Sequence, residues 1–180
     1  MSIENSDSEL IAACKRDEMW AKKALYERFA PAMYSICARY CGRSDAARDV
    51  LQDAFIKVFT KIAEFRGDGS FEGWLRRVFV TTALERFRSR REVPLDIYLE
   101  ETIENQEFSI LEKLSADDLH KMISELPDNC RTVFNLYAIE DYSHKEIAQM
   151  LNIKEVTSRS YFFRAREILK TKIRENYDYL

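Results

Sequence analysis

The side chains best suited to a chemical role lie near the C-terminus, where hydroxyl and guanidinium groups recur along one predicted helix. Ser158, Phe162, Ala165 and Leu169 recur at steps of four, three and four residues, which predicts a helix with one inward face. The outer face of that helix then carries Thr157, Arg159, Ser160, Phe163, Arg164 and Arg166. Guanidinium and hydroxyl groups on an exposed helix match the phosphate oxygens and base edges of a major groove.

A second helix is needed to hold the first one against a domain, and residues 143–151 supply it. Ser143 and Glu146 form a capping box, and Ile147 and Leu151 line the inner face of the helix that this box begins. Asn152 then suits the left-handed conformation of a tight turn. We therefore predict a helix-turn-helix, which indicates DNA binding in many classes of protein without indicating its purpose.

A second basic surface is predicted between residues 71 and 90, and its residue types differ from those of the first. The residues expected to point inward are Phe71, Trp74, Leu75, Val78, Ala83 and Phe87. Another face carries Arg77, Val80, Thr81, Leu84 and Arg88, followed by Arg86, Arg90 and Arg91. Because cations attract phosphates and apolar groups cover extruded bases, this mixture favours a nucleic-acid strand with splayed bases. A solvated basic face is the alternative.

The preceding predicted helix, residues 45–64, has an unusual second face. Its core stripe consists of Ala47, Val50, Leu51, Ala54, Phe55, Val58, Phe59 and Ile62. Asp49, Gln52, Asp53 and Ile56 share the other side. Two interpretations stay open for this side. It is either a second packing surface inside a helix bundle or a protein-docking face, on which Ile56 offers burial and the carboxylates offer orientation.

Charge divides the chain into segments. The net charge is -3, yet residues 65–92 hold seven arginines against four acidic residues, and residues 131–180 hold nine basic against seven acidic residues. Between them, residues 93–130 hold ten acidic residues against two lysines. Two basic modules joined by an acidic connector indicate two contacts with nucleic acid. Solvation of the linker explains part of the acidic run.

We predict an all-α protein of two small helical domains. Four Gly and three Pro among 180 residues indicate mostly helix, and 46% hydrophobic residues can supply the cores of one or two small domains. The segment charges and the loop signals divide the chain into two. We predict a first domain over residues 8–92, an acidic linker over 93–109 and a helix-turn-helix domain over 110–176. Ser70 and Pro127 are expected to begin helices. The predicted helices lie near residues 8–16, 19–30, 32–41, 45–64, 71–90, 110–125, 128–139, 143–151 and 155–175.

Several classes of protein find no support in the sequence. No stretch approaches the roughly 18 apolar residues of a membrane span and the N-terminus lacks the features of a signal peptide, so we expect a cytoplasmic protein without membrane insertion. The four cysteines form no CxxC pair, and Cys37 and Cys41 supply at most half of a metal site, so we expect reduced thiols and no metal or cofactor. No catalytic triad, phosphate loop or carboxylate cluster appears, so we expect neither an enzyme nor a small-molecule substrate.

The segment RDVLQDAFIKVFTKIAEFRGDGSFEGWLRRVFVTTALERFRSRR, residues 48–91, resembles region 2 of sigma-70 family factors, especially the extracytoplasmic-function (ECF) group. Residues 126–170 resemble region 4 of that group. The resemblance covers nearly all of residues 8–172 apart from the linker, with the two regions in the family's order. It implies a non-enzymatic initiation factor that binds core RNA polymerase, directs it to a promoter and helps to melt the DNA.

The resemblance also implies a role for each predicted surface. Docking on core polymerase is implied for Asp49, Gln52, Asp53, Phe55 and Ile56, with Phe55 packing beneath the face. Contact with the -10 element, including flipped bases of the non-template strand, is implied for Arg66, Arg76, Arg77, Val80, Thr81, Leu84 and Arg88. Contact with the -35 duplex is implied for His144, Lys145, Thr157, Arg159, Ser160, Phe163 and Arg164. An anti-sigma factor is implied as a further partner of a monomeric chain, and the acidic linker is expected to thread into the polymerase.

The chain departs from the family's pattern at positions that affect base choice. Val80 and Thr81 stand where many relatives have Arg and Asn, and Lys154, Val156 and Tyr161 stand where a Ser-type cap, a Gly and an Arg are usual. The promoter sequence is therefore not carried over from the family. The alternative to a sigma factor is a one-component regulator that binds an operator as a dimer without polymerase.

Overall fold

The computed structural model describes residues 6–41, 45–89 and 116–177, and every regular element within them is a helix. The chain divides into two compact units, Met1–Arg90 and Arg91–Leu180. The predicted all-α class with two small helical domains is therefore confirmed. The predicted linker, residues 93–109, and the first part of the helix predicted over 110–125 lie outside the described residues. None of the described helices is both long enough and apolar enough to cross a bilayer.

The first unit is built from helices that begin where capping side chains are available. These helices are α1 (Asp7–Lys15), α2 (Met19–Cys41), α3 (Asp45–Lys61, followed by a 3-10 turn, Ile62–Glu64) and α4 (Phe71–Ser89). Ser6 begins α1 through a capping box with Glu9 that was not predicted. Ser70 begins α4 as predicted, because its Oγ accepts the backbone N–H of Gly73 at 3.0 Å.

Helix α2 corrects the prediction of two helices over 19–30 and 32–41. It runs without a break through Pro31, although proline removes one backbone donor from a helix. Pro31 and Glu27, whose carbonyl would have accepted from that donor, are both exposed, so water can satisfy the carbonyl. Leu25 and Ile36 are buried on either side of the proline. Packing of both halves against the core therefore outweighs the local break.

The core of the first unit lies where α2, α3 and α4 pack together. Leu25, Val50, Leu75 and Phe79 are fully buried there. Phe79 was not among the predicted core residues, but its ring meets that of Phe55 edge-on with centroids 5.0 Å apart. This contact fixes α3 against α4 directly beneath the outer face of α3.

The second unit contains the remaining described helices. They are α5 (Ala116–Ser124), α6 (Asp128–Phe134), α7 (His144–Leu151) and α8 (Glu155–Tyr177). Pro127 precedes α6 as predicted. The helix predicted to continue regularly to residue 139 instead widens into a π turn, Asn135–Ile139, in which the carbonyl of Asn135 accepts the backbone N–H of Glu140 at 3.0 Å.

The predicted helix-turn-helix is confirmed, and both of its local signals act as expected. The N–H of Glu146 donates to Ser143 Oγ at 3.3 Å, and the N–H of Ser143 donates to Glu146 Oε2 at 2.8 Å. Asn152 ends α7 in the left-handed conformation with φ of 52°. The N–H of Ile153 then donates to the carbonyl of Ala148 at 3.0 Å, which closes the turn before α8.

Candidate functional site

The outer face of α3 is exposed, and α4 holds its carboxylates in place. Asp49, Gln52, Asp53 and Ile56 all reach solvent, and Ile56 is 58% exposed. Arg86 Nη2 donates to Asp49 Oδ2 at 2.7 Å, and Arg86 Nη1 lies 3.9 Å from Asp53 Oδ2. Arg86 was expected only to add charge near the end of its helix, whereas it orients two carboxylates beside an exposed apolar side chain. This arrangement favours a docking face over a packing surface inside the bundle.

A groove runs beside this face, and Phe55 lies at its floor with 3% of its surface exposed. The groove has a volume of about 560 Å³ and is lined by Tyr26, Tyr34, Arg48, Leu51, Gln52, Phe55, Ile56 and Phe59. Tyr26 packs on Phe55 with ring centroids 4.6 Å apart. Tyr26 and Tyr34 were not predicted here because the expected break at residue 31 placed them on separate helices. On the continuous α2 they lie about two turns apart along one groove.

The face of α4 that was predicted to bind a nucleic-acid strand has fewer exposed residues than expected. Val80 and Leu84 are 1% and 2% exposed, so the prediction that they share an exposed face with Arg77, Thr81 and Arg88 is wrong. Because α4 packs against both α2 and α3, it needs a wider apolar stripe than a helix with one partner. The polar members of the face, Arg77, Thr81 and Arg88, are exposed, and α4 therefore presents a mainly polar and basic surface.

The loop 65–70 presents Arg66 next to an aromatic cluster at the start of α4. Arg66 is exposed, and Gly67 beside it has φ of +84°, a conformation that favours glycine. The carbonyl of Phe65 accepts from Lys15 Nζ at 2.7 Å, and the Phe65 ring lies 5.6 Å from that of Trp74. The loop is therefore tied to α1 and α4 at once. Both half-buried rings leave aromatic surface available near Arg66.

Arg76 is half-buried on the first turns of α4, one residue before the exposed Arg77. The two side chains therefore differ in their exposure to solvent. The basic surface of the first unit thus extends from the loop along α4.

The outer face of α8 carries most of the predicted duplex contacts. Side chains that are exposed or half-buried there are Thr157, Arg159, Ser160, Phe163 and Arg164, together with Lys145 on α7. Glu155 Oε1 accepts from Arg159 Nη2 at 2.7 Å, which limits the positions open to that guanidinium. Basic and hydroxyl groups thus lie along one exposed helix face, as a groove-reading helix requires.

His144 was predicted near the DNA backbone, but the structure makes it a packing residue. It is 9% exposed, and its Nδ1 lies 2.9 Å from the hydroxyl of the fully buried Ser158. The ring stacks on Tyr137 with centroids 4.3 Å apart and meets Phe162 at 5.7 Å. The buried hydrogen bond and the aromatic contacts draw the imidazole inward. His144 therefore fixes α7 against α8 instead of facing solvent.

Tyr161 also lies in the core of the second unit and not on the outer face of α8. It is 8% exposed, and its hydroxyl accepts from Asn129 Nδ2 at 3.3 Å. This hydrogen bond joins α8 to α6. The Tyr161 side chain therefore points away from the exposed face of α8.

The pKa shifts in the described residues reflect burial, helix capping and ion pairs. Burial raises the pKa of the Cys37 thiol to about 12, so the thiol is neutral at physiological pH. Hydrogen bonds from Ser143 lower the pKa of Glu146, and the hydrogen bond from Lys172 lowers that of Glu125. Among the described residues, no group of three or more His, Cys, Asp or Glu is placed to hold a metal ion.

Comparisons with known proteins match both units and their order. The model of Sigma-70 region 2 matches residues 25–93, and that of Sigma-70, region 4 matches residues 116–169. The ECF RNA polymerase sigma-E factor of Haemophilus influenzae is 30% identical, covering 96% of this chain and 98% of that protein. The RNA polymerase sigma-H factor of Pseudomonas aeruginosa is 29% identical over 94% of each chain. The structure of CnrH in complex with the cytosolic domain of CnrY shares the fold, with a TM-score of 0.51, 21% identity and coverage of 94% of this chain and 97% of that one.

Proposed function

We propose a division of promoter recognition among the surfaces of the two units, from the premise that the chain belongs to the sigma-70 family of RNA polymerase sigma factors, in its extracytoplasmic-function group. Such a factor directs core RNA polymerase to promoters and is not itself catalytic. The observation that carries the proposal is that basic groups occupy exposed helix faces in both units, on α4 and on α8. One chain can therefore contact a promoter at two points.

The outer face of α3 docks on core polymerase in this proposal. Ile56 supplies apolar surface that is still exposed in the free chain, and Asp49 and Asp53 supply directional charge beside it. Arg86 holds these carboxylates in place, so little side-chain freedom is lost on docking. Gln52 adds an amide on the same face, while Phe55 supports the face from below.

The loop 65–70 and α4 bind the unpaired strand of the -10 element. Arg66, Arg76, Arg77 and Arg88 provide the cations that phosphates require, and Thr81 provides a hydroxyl that can bond to a base edge. Aromatic cover for an extruded base comes from the Phe65 and Trp74 cluster, since Val80 and Leu84 are buried in the core. Stacking of a base on such a surface is worth about 1–3 kcal/mol, which offsets part of the cost of unpairing.

Helix α8 reads the -35 duplex through its outer face. Arg159, Ser160, Phe163 and Arg164 are its direct contacts, with Thr157 beside them and Lys145 near the backbone. His144 contributes by holding α7 against α8, through its contacts with Ser158 and Phe162. The angle between the two helices determines which base pairs the outer face can reach.

We also propose an anti-sigma factor as a regulatory partner of this monomeric chain, which acts in the cytoplasm. The similar protein CnrH has been solved in complex with the cytosolic domain of CnrY. The acidic segment, residues 93–109, would enter a polymerase channel shaped for nucleic acid, because its carboxylates mimic the charge of a phosphate backbone.

The proposed function is tested by transcription in a purified system. Core polymerase is mixed with the full-length chain and a promoter pool, and the transcript starts are sequenced. We expect a subset of promoters to start specifically only when the chain is present. Equal start profiles with and without the chain would contradict the proposal. Binding of the chain alone to duplex DNA as a dimer would instead support a one-component regulator.

The division of labour is tested with two templates. Arg159→Ala should weaken binding of the polymerase complex to a fully duplex promoter by about 1–3 kcal/mol, because one bidentate contact is lost. The same variant should still occupy the open strands of a template whose -10 region is already unpaired. Arg174→Ala is the matched control, since Arg174 is an exposed cation near the other end of α8. An equal loss with Arg174→Ala, or loss of contact with the open strands in Arg159→Ala, would contradict the assignment of α8 to the -35 duplex.

A further inference from the structure

Val156 is a large apolar side chain exposed at the start of the recognition helix. It is the second residue of α8 and is 50% exposed. Neither packing nor helix propensity accounts for it, because half of its surface reaches solvent and a β-branched residue is a weaker helix former than alanine. Its exposed apolar surface is therefore available to a partner of α8.

Charged and polar residues are the neighbours of Val156 along the surface of α8. Arg159 lies three residues further along α8 and therefore next to Val156 on the helix surface. Its guanidinium is held by Glu155 at 2.7 Å, with the two side chains 52% and 44% exposed. Ser160, one turn after Val156, donates its hydroxyl to the Val156 carbonyl at 3.0 Å. An apolar group and an oriented guanidinium therefore lie next to each other in the first turn and a half of α8, at its N-terminal end.

The chemistry of the major groove determines what such a pair can select. The N-terminal residues of the second helix of a helix-turn-helix contact base edges. Among the base edges in that groove, the apolar group is the C5 methyl of thymine, whereas the two acceptors of guanine match a guanidinium. A valine isopropyl group at a base edge gains most from contact with the thymine methyl, because both groups leave water together.

We propose that Val156 is a specificity-determining residue that selects a thymine in the -35 element, next to a guanine selected by Arg159. This proposal rests on the assignment of α8 to the -35 duplex. Three residues along a helix rise by about 4.5 Å, which is close to the roughly 3.4 Å between base pairs along one strand. The thymine should therefore lie about one base pair from the guanine.

The test uses full-length chain assembled with core polymerase and a promoter library randomised across the -35 region. The enriched sequences of the natural chain, Val156→Ala and Arg159→Ala are compared. The natural chain should enrich thymine about fourfold at one position beside an enriched guanine, the change expected for withdrawing one methyl group from water. Val156→Ala should lose the thymine preference alone, and Arg159→Ala should lose the guanine preference alone.

A chemical substitution in the DNA separates contact with the methyl group from any effect on folding. In the best promoter, the selected thymine is replaced by deoxyuridine, which lacks only the methyl group. The natural chain should bind this promoter about fourfold more weakly, whereas Val156→Ala should bind both promoters equally. Unchanged thymine enrichment in Val156→Ala, or equal binding of the two promoters by the natural chain, would overturn the proposal. Absence of any enriched position in the -35 region would instead overturn the assignment of α8 on which it rests.

Discussion

Replacing Ile56 with Ala should weaken binding to core polymerase without weakening the fold. Ile56 is 58% exposed in the free chain, and full burial of a side chain of this size stabilises by about 1.5–3 kcal/mol. The part that docking can still bury is therefore worth about 0.9–1.7 kcal/mol, so the dissociation constant should rise roughly 4- to 20-fold. The free energy of unfolding should change by less than about 0.5 kcal/mol, because the site is largely exposed and Ala is the better helix former.

Two measurements and two controls separate docking from folding. Binding is followed by the fluorescence anisotropy of labelled full-length chain titrated with core polymerase, and stability by urea unfolding monitored by circular dichroism. Ile56→Leu keeps the apolar surface and should bind nearly as tightly as the natural chain. Val50→Ala, at a fully buried position of the same helix, should lower the free energy of unfolding. Equal affinity of Ile56→Ala and the natural chain would refute docking through this face, as would an affinity loss that only follows a loss of stability.

Three further outcomes test the packing, capping and protonation described for the two units. Leu75→Ala, at a fully buried position of α4, should lower the free energy of unfolding by about 2–5 kcal/mol in urea, whereas Arg77→Ala on the exposed side should leave it nearly unchanged. Ser143→Ala should lower the free energy of unfolding by about 1 kcal/mol, because α7 loses its N-cap. Because the pKa of Glu146 is lowered in the folded chain, its ionised carboxylate stabilises the fold fully at pH values above the ordinary glutamate pKa of about 4.3. This stabilisation is lost as the pH falls through the lower folded-state pKa. Thermal melts of Ser143→Ala should therefore be less sensitive to acid in that range. The pKa of Cys37 is raised to about 12, so its thiol should resist alkylation at pH 8 in the folded chain and react once urea unfolds it. Mass spectrometry measures the alkylation, and rapid alkylation of Cys37 in the folded chain would contradict its burial.

Features set by a few neighbouring residues were predictable from the sequence. The capping box at Ser143, the left-handed turn at Asn152 and the start of α4 at Ser70 all appear where they were predicted. The grouping of the polar and basic residues on one outer face of α8 also follows from helical spacing. Each of these features depends on interactions within about one helical turn, so its signal is contained in a short segment.

Other features required knowledge of which helices pack together. Helix α2 passes through Pro31 because both halves are held by the same core, which no local signal indicates. Val80 and Leu84 are buried because α4 has two helical partners. The groove at Tyr26 exists only once α2 is continuous and packed against α3.

The sequence by itself determined the helical class, the helix-turn-helix and the family, because caps, period and the order of two motifs are properties of the chain alone. Only the tertiary structure decided which polar side chains face solvent and which serve the core. His144 turns inward to Ser158, and Arg86 reaches back across 37 residues of sequence to Asp49. Helical period places a residue on a face, but the number and position of neighbouring helices decide whether that face is buried. A residue's availability to polymerase or DNA is therefore a property of the packed units and not of the spacing.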